Sequence, residues 1–214
     1  DFVSMASHEF RTPLAIIDSN AQRLIRRSDR LDSAAILERG TRIRDAVGRM
    51  QYLINRFLNF TRSQAGRMEI DSRDQPLKDT IGDCCRRFQD SCSSHRIVLD
   101  TANLPEILRF DRKLLELCID NLLSNAAKYS PDATEIRVTG QVDGTWASIS
   151  VEDDGLGIPE AELPKVFDRY FRASTSSGIA GTGIGLNMIS MIMDKHCGKV
   201  DLESRVGEGT RVTL

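Results

Sequence analysis

Residues 7–14 place a histidine, a carboxylate and a hydroxyl where they can act together. His8 and Thr12 are four residues apart, so in a helix they share a face, and Glu9 stands beside the histidine. A neutral imidazole is a competent nucleophile, and an adjacent carboxylate can hold its tautomer and accept its proton. Taken alone, such a turn is more often a solvated helix surface than a catalytic site, so its meaning depends on what accompanies it.

A second set of chemistry-bearing residues lies on a predicted helix. Asn121, Asn125 and Lys128 recur every three or four residues and therefore line one face of a helix that Asp111 is expected to cap. Amide oxygens suit Mg²⁺, which retains several waters and takes few protein ligands. The alternative, an exposed polar face, fits less well because the opposite face is apolar.

Two glycine-rich segments follow. Asp153 comes after a predicted strand and precedes Gly155 and Gly157, and a carboxylate at a strand end can accept hydrogen bonds from a bound ligand. The glycines let the backbone approach such a ligand closely. Residues 181–186 carry glycine at every second position and lead into a helix, where bare amides make a phosphate site. They are not the dinucleotide fingerprint, because no strand immediately precedes them.

In this order the segments resemble the histidine protein kinases of two-component signalling, and nearly the whole chain takes part in the resemblance. The H, N, G1, F and G2 boxes of that family match residues 7–14, 121–130, 152–159, 167–172 and 181–186. The resemblance implies the ATP-binding fold shared with Hsp90, type II topoisomerases and MutL. It also implies that ATP and Mg²⁺ support phosphorylation of His8, oriented by Glu9, and that the phosphoryl group then passes to an aspartate on the receiver domain of a response regulator.

The resemblance assigns roles to individual residues. Asn125 is implied to be the direct Mg²⁺ ligand, with Asn121 supporting it and Lys128 reaching phosphate, while Tyr129 lies against the adenine. Arg172 either reaches the γ-phosphate or is an ordinary surface arginine. Residues 174–180 are small and polar, as expected of a mobile lid over ATP. The remaining implied nucleotide contacts are Asp153, Gly155, Gly157, Gly181, Thr182, Gly183, Gly185 and Leu186.

Two positions depart from the family pattern. Asp154 stands where many members have asparagine, and the added negative charge is expected to weaken nucleotide binding slightly. Phe10 stands where most have leucine, and the larger ring would alter a partner's docking surface. Glu9 and Thr12 also match the E-x-x-T pattern by which some members dephosphorylate their partner. Phosphatase activity toward phospho-aspartate is therefore a second expectation.

Residues 1–64 are predicted to form a helical hairpin that carries the phosphoacceptor. The short polar break between its two apolar stretches offers Asp32 or Ser33 as an N-cap. One hairpin cannot cover its apolar seams, so two are expected to pair as a homodimeric four-helix bundle. Pro13 should kink the first helix one turn beyond His8, which should project from the bundle. The seam positions are Val3, Phe10, Leu14, Ile17, Ala21 and Leu24, then Ile36, Ile43, Val47, Met50, Ile54 and Phe57.

Residues 65–76 are polar and turn-rich and are assigned to a linker, and residues 77–214 to the ATP-binding catalytic domain. Within that domain, helices are expected over 77–94, from Asp111 to Tyr129 and over 185–196. Strands are expected over 96–99, 107–110, 135–142, 146–152, 199–204 and 210–214. The predicted fold class is therefore α+β multidomain, with a helical hairpin followed by an α/β sandwich.

Composition excludes several other classes of protein. The formal net charge is -2, so no basic field is available to attract nucleic acid or an anionic membrane. No apolar run reaches the length of a transmembrane helix, and a cytoplasmic location is expected, with any sensor or anchor before residue 1. The five cysteines fit a reducing compartment, and Cys92 with His95 supplies too few ligands for a metal site.

Two alternatives share some of these features. An ATPase of the Hsp90 and MutL kind has the same nucleotide fold but lacks a histidine-bearing hairpin upstream. A scaffold with a decayed nucleotide site is disfavoured because every required residue is present. His95 and His196 are rival phosphoacceptors, but neither has a carboxylate beside it.

Overall fold

The computed structural model describes residues 2–26, 31–64, 69–131, 135–179 and 181–214. The chain forms two compact units, of which the second begins at Glu69. The first unit is the predicted helical hairpin, made of α1 (Phe2–Arg26) and α2 (Ser33–Gln64). None of the described helices is long and apolar enough to cross a membrane.

The hairpin begins its second helix at an aspartate cap and carries apolar side chains on its surface. Asp32 Oδ1 accepts the amide hydrogen of Ala35 at 2.7 Å, which satisfies one of the donors left free at a helix start. Pro13 lies inside α1, as predicted. The exposed apolar side chains of the two helices include Leu14, Ile25, Ile36, Leu37, Val47 and Ile54.

The second unit is a mixed sheet with helices on it. Its elements are β1 (Arg73–Pro76), α3 (Leu77–Ser91), β2 (Arg96–Asp100), β3 (Ile107–Phe110), α4 (Arg112–Tyr129), β4 (Glu135–Asp143), β5 (Trp146–Asp153), α5 (Gly185–Lys195), β6 (Asp201–Arg205) and β7 (Gly209–Thr213). The five-stranded sheet has the order β2-β4-β5-β7-β6, in which only β2 and β4 are parallel.

The core lies between the sheet and α4. Ile136 and Val138 alternate along β4 with half-buried polar residues, so one face of the sheet is apolar and receives the helix. Helix α4 packs on β4 and β5, and α3 and α5 pack against α4. The opposite face of the sheet is polar, with Glu152 between the guanidinium groups of Arg137 and Arg211. These two layers confirm the predicted α/β sandwich.

Several expectations about local elements need correction. Residues 73–76, assigned to the linker, form β1, which pairs antiparallel with β3 in a separate two-stranded sheet. The helix expected over 77–94 ends at Ser91, and Cys92 is its C-cap. The strand expected from 199 begins at Asp201. The other predicted helices and strands of this unit are present to within one or two residues.

Candidate functional site

The histidine turn lies on α1. His8 and Glu9 belong to that helix, but their side chains lie outside the described part of the structure. Thr12 is exposed and lines a groove of about 750 Å³ between the two helices of the hairpin. The groove is also lined by Arg11, Ala15, Ile16, Ser19, Asn20, Arg23, Arg42 and Asp45. Three arginines against one aspartate make this groove basic.

Helix α4 carries the predicted amide and lysine side chains. Asp111 caps it, accepting the amide hydrogen of Leu114 at 3.2 Å. Asn121 is fully buried, and its Nδ2 has no hydrogen-bond partner among the described residues. Asn125 and Lys128, on the same face, are half-buried. A buried amide with an unsatisfied donor is costly, so this face is built to receive a polar group.

The lysine is turned toward its neighbour. Lys128 Nζ donates to the hydroxyl of Tyr129 at 2.9 Å and lies 4.4 Å from the centre of that ring. The ammonium is therefore held by a cation–π contact and one hydrogen bond, both of which can be exchanged for phosphate oxygens.

Asp153 is the buried carboxylate of the site. It ends β5 with only 8% of its surface exposed, and its Oδ1 accepts the amide hydrogen of Gly155 at 2.9 Å. Burial raises the pKa of Asp153 to about 6, and the charges of Asp154 and Glu152 push it in the same direction. Amide hydrogens from Gly155 and from Thr210, on β7, oppose that rise. A carboxylate kept in this position at such a cost is a candidate functional group.

Two glycines let the backbone close around this carboxylate. A Cβ at Gly155 would lie 2.3 Å from the carbonyl oxygen of Tyr129, and one at Gly157 would lie 1.9 Å from that of Arg205. Gly157 also has a φ of +64°, which side-chain-bearing residues rarely adopt. The amide of Leu156 donates to Tyr129 at 2.9 Å, so this loop is bonded to the end of α4.

The third segment leads into α5, which begins at Gly185. Ile184 precedes the helix and has no side-chain acceptor to cap it, which leaves the first amides suited to an anion. The Tyr170 amide donates to Gly183 at 3.0 Å and joins this segment to residues 167–172. The other members of the segment range from half-buried (Gly181, Leu186) to buried (Thr182, Gly185).

Arg172 binds the chain that follows it. Its Nη2 donates to the carbonyl of Ser176 at 2.9 Å and also to that of Ile179. The hydroxyl of Thr175 donates to the carbonyl of Gly157 at 2.7 Å, so the predicted lid contacts the glycine loop directly. Neither contact could be predicted from the sequence, because threonine and arginine are ordinary residues for a polar loop. Ala180, the last residue of the predicted lid, lies outside the described residues.

Asp154 is paired and not isolated. Its Oδ1 lies 2.5 Å from Arg137 Nη2, which also contacts Glu152 at 2.7 Å. This guanidinium offsets the additional negative charge that the sequence led us to expect near the nucleotide.

The second unit thus brings together the end of α4, the Asp153 loop and the 172–179 segment, through hydrogen bonds that link each to the next. A buried carboxylate, amide side chains, a lysine and the backbone amides at the start of α5 form a set of polar groups that fits an adenine nucleotide with Mg²⁺. His8, Glu9 and Thr12 belong to the hairpin unit. No group of three histidine, cysteine, aspartate or glutamate side chains in the described ranges is placed to hold a metal.

Two family models match the chain. Residues 1–66 match the His Kinase A (phospho-acceptor) domain, and residues 110–214 match the histidine kinase-, DNA gyrase B-, and HSP90-like ATPase. The first match lies in the hairpin unit, and the second covers the larger part of the second unit.

Curated relatives align over the full chain. The alginate biosynthesis sensor protein KinB of Pseudomonas aeruginosa is 32% identical over 216 residues, covering 99% of this chain and 36% of that protein. The phosphate regulon sensor protein PhoR of the same species is 31% identical, covering 100% and 48%. The sensor histidine kinase YkoH of Bacillus subtilis is 32% identical, covering 100% and 46%. The chain therefore spans between a third and a half of the length of these relatives.

Solved structures share the architecture. The histidine kinase AdeS of Acinetobacter baumannii gives a TM-score of 0.66 at 18% identity, over 96% of this chain and 95% of that one. The mycobacterial sensor histidine kinase MprB gives 0.56 at 27% identity, over 68% and 95%. At 18% identity, the first likeness is one of fold alone.

Proposed function

Because the chain belongs to the histidine protein kinases of two-component signalling, we propose that it phosphorylates His8 with ATP and passes the phosphoryl group to an aspartate of a response regulator. The observation that carries the proposal is the buried Asp153, held at a strand end beside the end of α4. That arrangement, in the same chain as a histidine-bearing hairpin, supports a kinase that binds adenine nucleotide.

In this account the α/β unit holds MgATP. Asp153 accepts the adenine amine, the face of Tyr129 lies against the ring, and the glycine loop permits close approach. Asn125 would hold Mg²⁺, with Asn121 supporting its side chain, and the bound ion would neutralise charge on the phosphates. The amides around Gly181, Thr182, Gly183, Gly185 and Leu186 would contact the phosphate chain. Lys128 would leave the Tyr129 hydroxyl for phosphate oxygen, and Arg172 is available to the γ-phosphate if it leaves its loop carbonyls.

The transfer step uses the residues of the hairpin. The lone pair on Nε2 of His8 forms the N–P bond as the bond between the γ-phosphorus and the ADP oxygen breaks. Glu9 orients the ring through Nδ1 and accepts the proton that Nδ1 releases. Products are phosphohistidine and ADP, so atoms and charge balance without a further reactant.

The phosphohistidine requires a partner. A receiver-domain aspartate would accept the phosphoryl group, because a phosphoramidate is a high-energy donor. The basic groove beside Thr12 supports docking of an acidic surface near His8. Glu9 and Thr12 are further proposed to support dephosphorylation of phospho-aspartate, with the threonine hydroxyl positioning a water.

We assign residues 1–64 to the dimerisation and phosphoacceptor hairpin and residues 77–214 to the catalytic domain. Of the segment 65–76 between them, strand β1 (Arg73–Pro76) belongs with the catalytic domain, because it pairs with β3. The hairpin is proposed to form a homodimeric four-helix bundle, which its exposed apolar side chains support. The kinase part is proposed to lie in the cytoplasm, as expected of the corresponding part of a sensor protein.

The test is incubation of the chain with γ-labelled ATP and Mg²⁺ beside the His8→Gln and Asn125→Ala variants. We expect acid-labile, base-stable label on the wild type and on neither variant. Addition of a receiver domain should then remove the label from the chain. ATP turnover without labelled protein, and unaffected by His8→Gln, would instead identify an ATPase.

A further inference from the structure

His95 is a buried histidine that the kinase mechanism does not use. It stands immediately before β2 with 3% of its surface exposed. Its Nε2 lies 2.9 Å from the carbonyl oxygen of Ser130, and its Nδ1 lies 2.9 Å from the hydroxyl oxygen of Ser94. Both ring nitrogens are therefore occupied inside the α/β unit.

These contacts determine where the ring carries its hydrogen. A carbonyl oxygen only accepts, so Nε2 must donate to Ser130. The Ser130 hydroxyl gives its own hydrogen to the carbonyl of Ala126, which leaves its lone pairs facing the same Nε2 at 3.3 Å. Both oxygens of Ser130 thus receive the imidazole N–H.

Ser130 is the C-cap of α4, where carbonyl groups lack partners within the helix. Two consecutive carbonyls at this end are satisfied from outside the helix. The Tyr129 carbonyl accepts from the Leu156 amide, and the next one, on Ser130, accepts from His95. The first of these bonds fixes the glycine loop, and the second fixes the end of α4 that carries Lys128 and Tyr129.

The histidine is itself held in place. Gln89, on α3, donates from Nε2 to the carbonyl of His95 at 2.9 Å, and its Oε1 accepts the amide of Ile97 at 2.8 Å. A continuous path of hydrogen bonds therefore leads from α3 through His95 and Ser130 to the end of α4.

We propose that His95 is a positioning residue for nucleotide binding, which acts by holding the last turn of α4 through Ser130. The proposal rests on the proposed function, since it concerns the same nucleotide site. Loss of the His95 Nε2–H group would leave the Ser130 carbonyl buried without its donor. The backbone that carries the Lys128 and Tyr129 side chains would then no longer be held in position. Burial also rules out the ring as a phosphoacceptor.

The test compares two amide replacements in the full chain. The side-chain nitrogen of His95→Gln reaches the position of Nε2 and can donate to Ser130, whereas that of His95→Asn reaches only the position of Nδ1. We expect His95→Asn to weaken binding of Mg²⁺ with a non-hydrolysable ATP analogue by about tenfold, and His95→Gln by no more than about threefold. Val138→Ala, a core change in β4, should lower the melting temperature without altering affinity.

Equal affinities for the two amide variants, or an equal loss in Val138→Ala, would overturn the positioning role while leaving the kinase function intact. A wild type that binds no nucleotide would overturn both.

If His95→Asn fails to fold, ¹⁵N NMR of the histidine rings in the wild-type chain still tests the proposal. The ¹⁵N resonances of the His95 ring should shift when nucleotide binds. Those of His196, whose Nε2 accepts the Asp111 amide at the far end of α4, should not. If the ¹⁵N resonances of the His95 ring do not shift when nucleotide binds, the proposal is contradicted.

Discussion

At the scale of single residues, the site contains buried polar side chains that lower the stability of the fold. Asp153 is a buried carboxylate with a raised pKa, and Asn121 is a buried amide with an unsatisfied donor among the described residues. Each costs stability, and under the proposed function an adenine nucleotide with Mg²⁺ would offset that cost by supplying a partner. Function and stability therefore oppose each other at these positions.

Asp153→Asn should separate the two effects. The folded-state pKa of about 6 lies above the ordinary pKa of an aspartate, so ionisation of Asp153 destabilises the folded chain at neutral pH. We expect the asparagine variant to gain about 2 kcal/mol in the free energy of unfolding at pH 8, yet to bind ATP at least about tenfold more weakly. Urea titrations and calorimetry measure the two quantities, and a variant that loses stability and keeps its affinity would contradict this explanation.

The same carboxyl predicts opposite pH dependences of binding and stability. Below pH 6 its protonation removes the charged acceptor, so nucleotide affinity should fall as the pH drops through about 6. The folded state binds the proton more tightly than the unfolded state, so the free energy of unfolding should rise over the same interval. Asp153→Asn supplies the reference, because the nucleotide phosphates titrate equally in both proteins. Identical pH profiles for the two would exclude Asp153 as the titrating group.

Two glycines with similar backbone angles test the glycine loop. Gly157 and Gly144 have φ of +64° and +57°, but a Cβ at Gly144 would meet nothing within 4 Å. Gly144→Ala should cost about 1–2 kcal/mol from backbone strain alone. Gly157→Ala adds a clash with the Arg205 carbonyl and should cost more and abolish nucleotide binding. Equal losses in thermal unfolding would mean that the loop can move away from that carbonyl.

At the scale of elements, α4 is held at both ends by side chains from other parts of the fold. Asp111 caps its start and also accepts the Asp71 amide at 2.9 Å, while His196 Nε2 accepts the Asp111 amide at 3.0 Å. At the other end of the helix, the Ser130 carbonyl accepts a hydrogen bond from His95. A helix fixed in this way can present Asn121 and Asn125 in a constant position.

Removal of the cap tests this view of α4. Asp111→Ala deletes two accepted hydrogen bonds and should cost about 2–3 kcal/mol, whereas Asp111→Asn keeps an acceptor and should cost less than about 1 kcal/mol. Trp146, the only tryptophan in the chain, lies on β5 and reports unfolding of this unit by its fluorescence. Equal destabilisation by the two variants would show that the charge of Asp111, and not its acceptor oxygens, supports the helix.

The sequence predicted those elements that carry a local signal. The apolar face of α4 and its aspartate cap are both confirmed. The pairing of β1 with β3 could not be predicted, because residues 73–76 show no alternation and their partners lie over 30 positions away. The contacts of Lys128 and Arg172 could not be predicted either, because the tertiary structure determines which partner a long flexible side chain reaches. The roles of the candidate site residues stay predictions.

At the scale of the whole molecule, the hairpin exposes apolar side chains that a single chain leaves in water. Leu14, Ile36, Val47 and Ile54 are each 40–50% exposed and belong to the predicted seams. Association of two hairpins would bury them, and each buried side chain of this kind contributes about 1–2 kcal/mol.

A charge in the seam should prevent that association. Val47→Glu places a carboxylate among apolar side chains and should convert the dimer to a monomer, as measured by light scattering. Arg44→Glu introduces the same residue at an exposed polar position of α2 and should leave the dimer intact. A wild-type chain that is monomeric at micromolar concentration would contradict the proposed bundle.

The central claim, a kinase whose own histidine receives the γ-phosphoryl group, is tested most directly by mass spectrometry of the intact and digested chain after incubation with MgATP at alkaline pH. We predict the gain of one phosphoryl group, confined to the peptide that contains His8 and lost on brief acid treatment. A phosphoryl group on the peptides of His95 or His196, or accumulation of ADP with no change in protein mass, would contradict the claim.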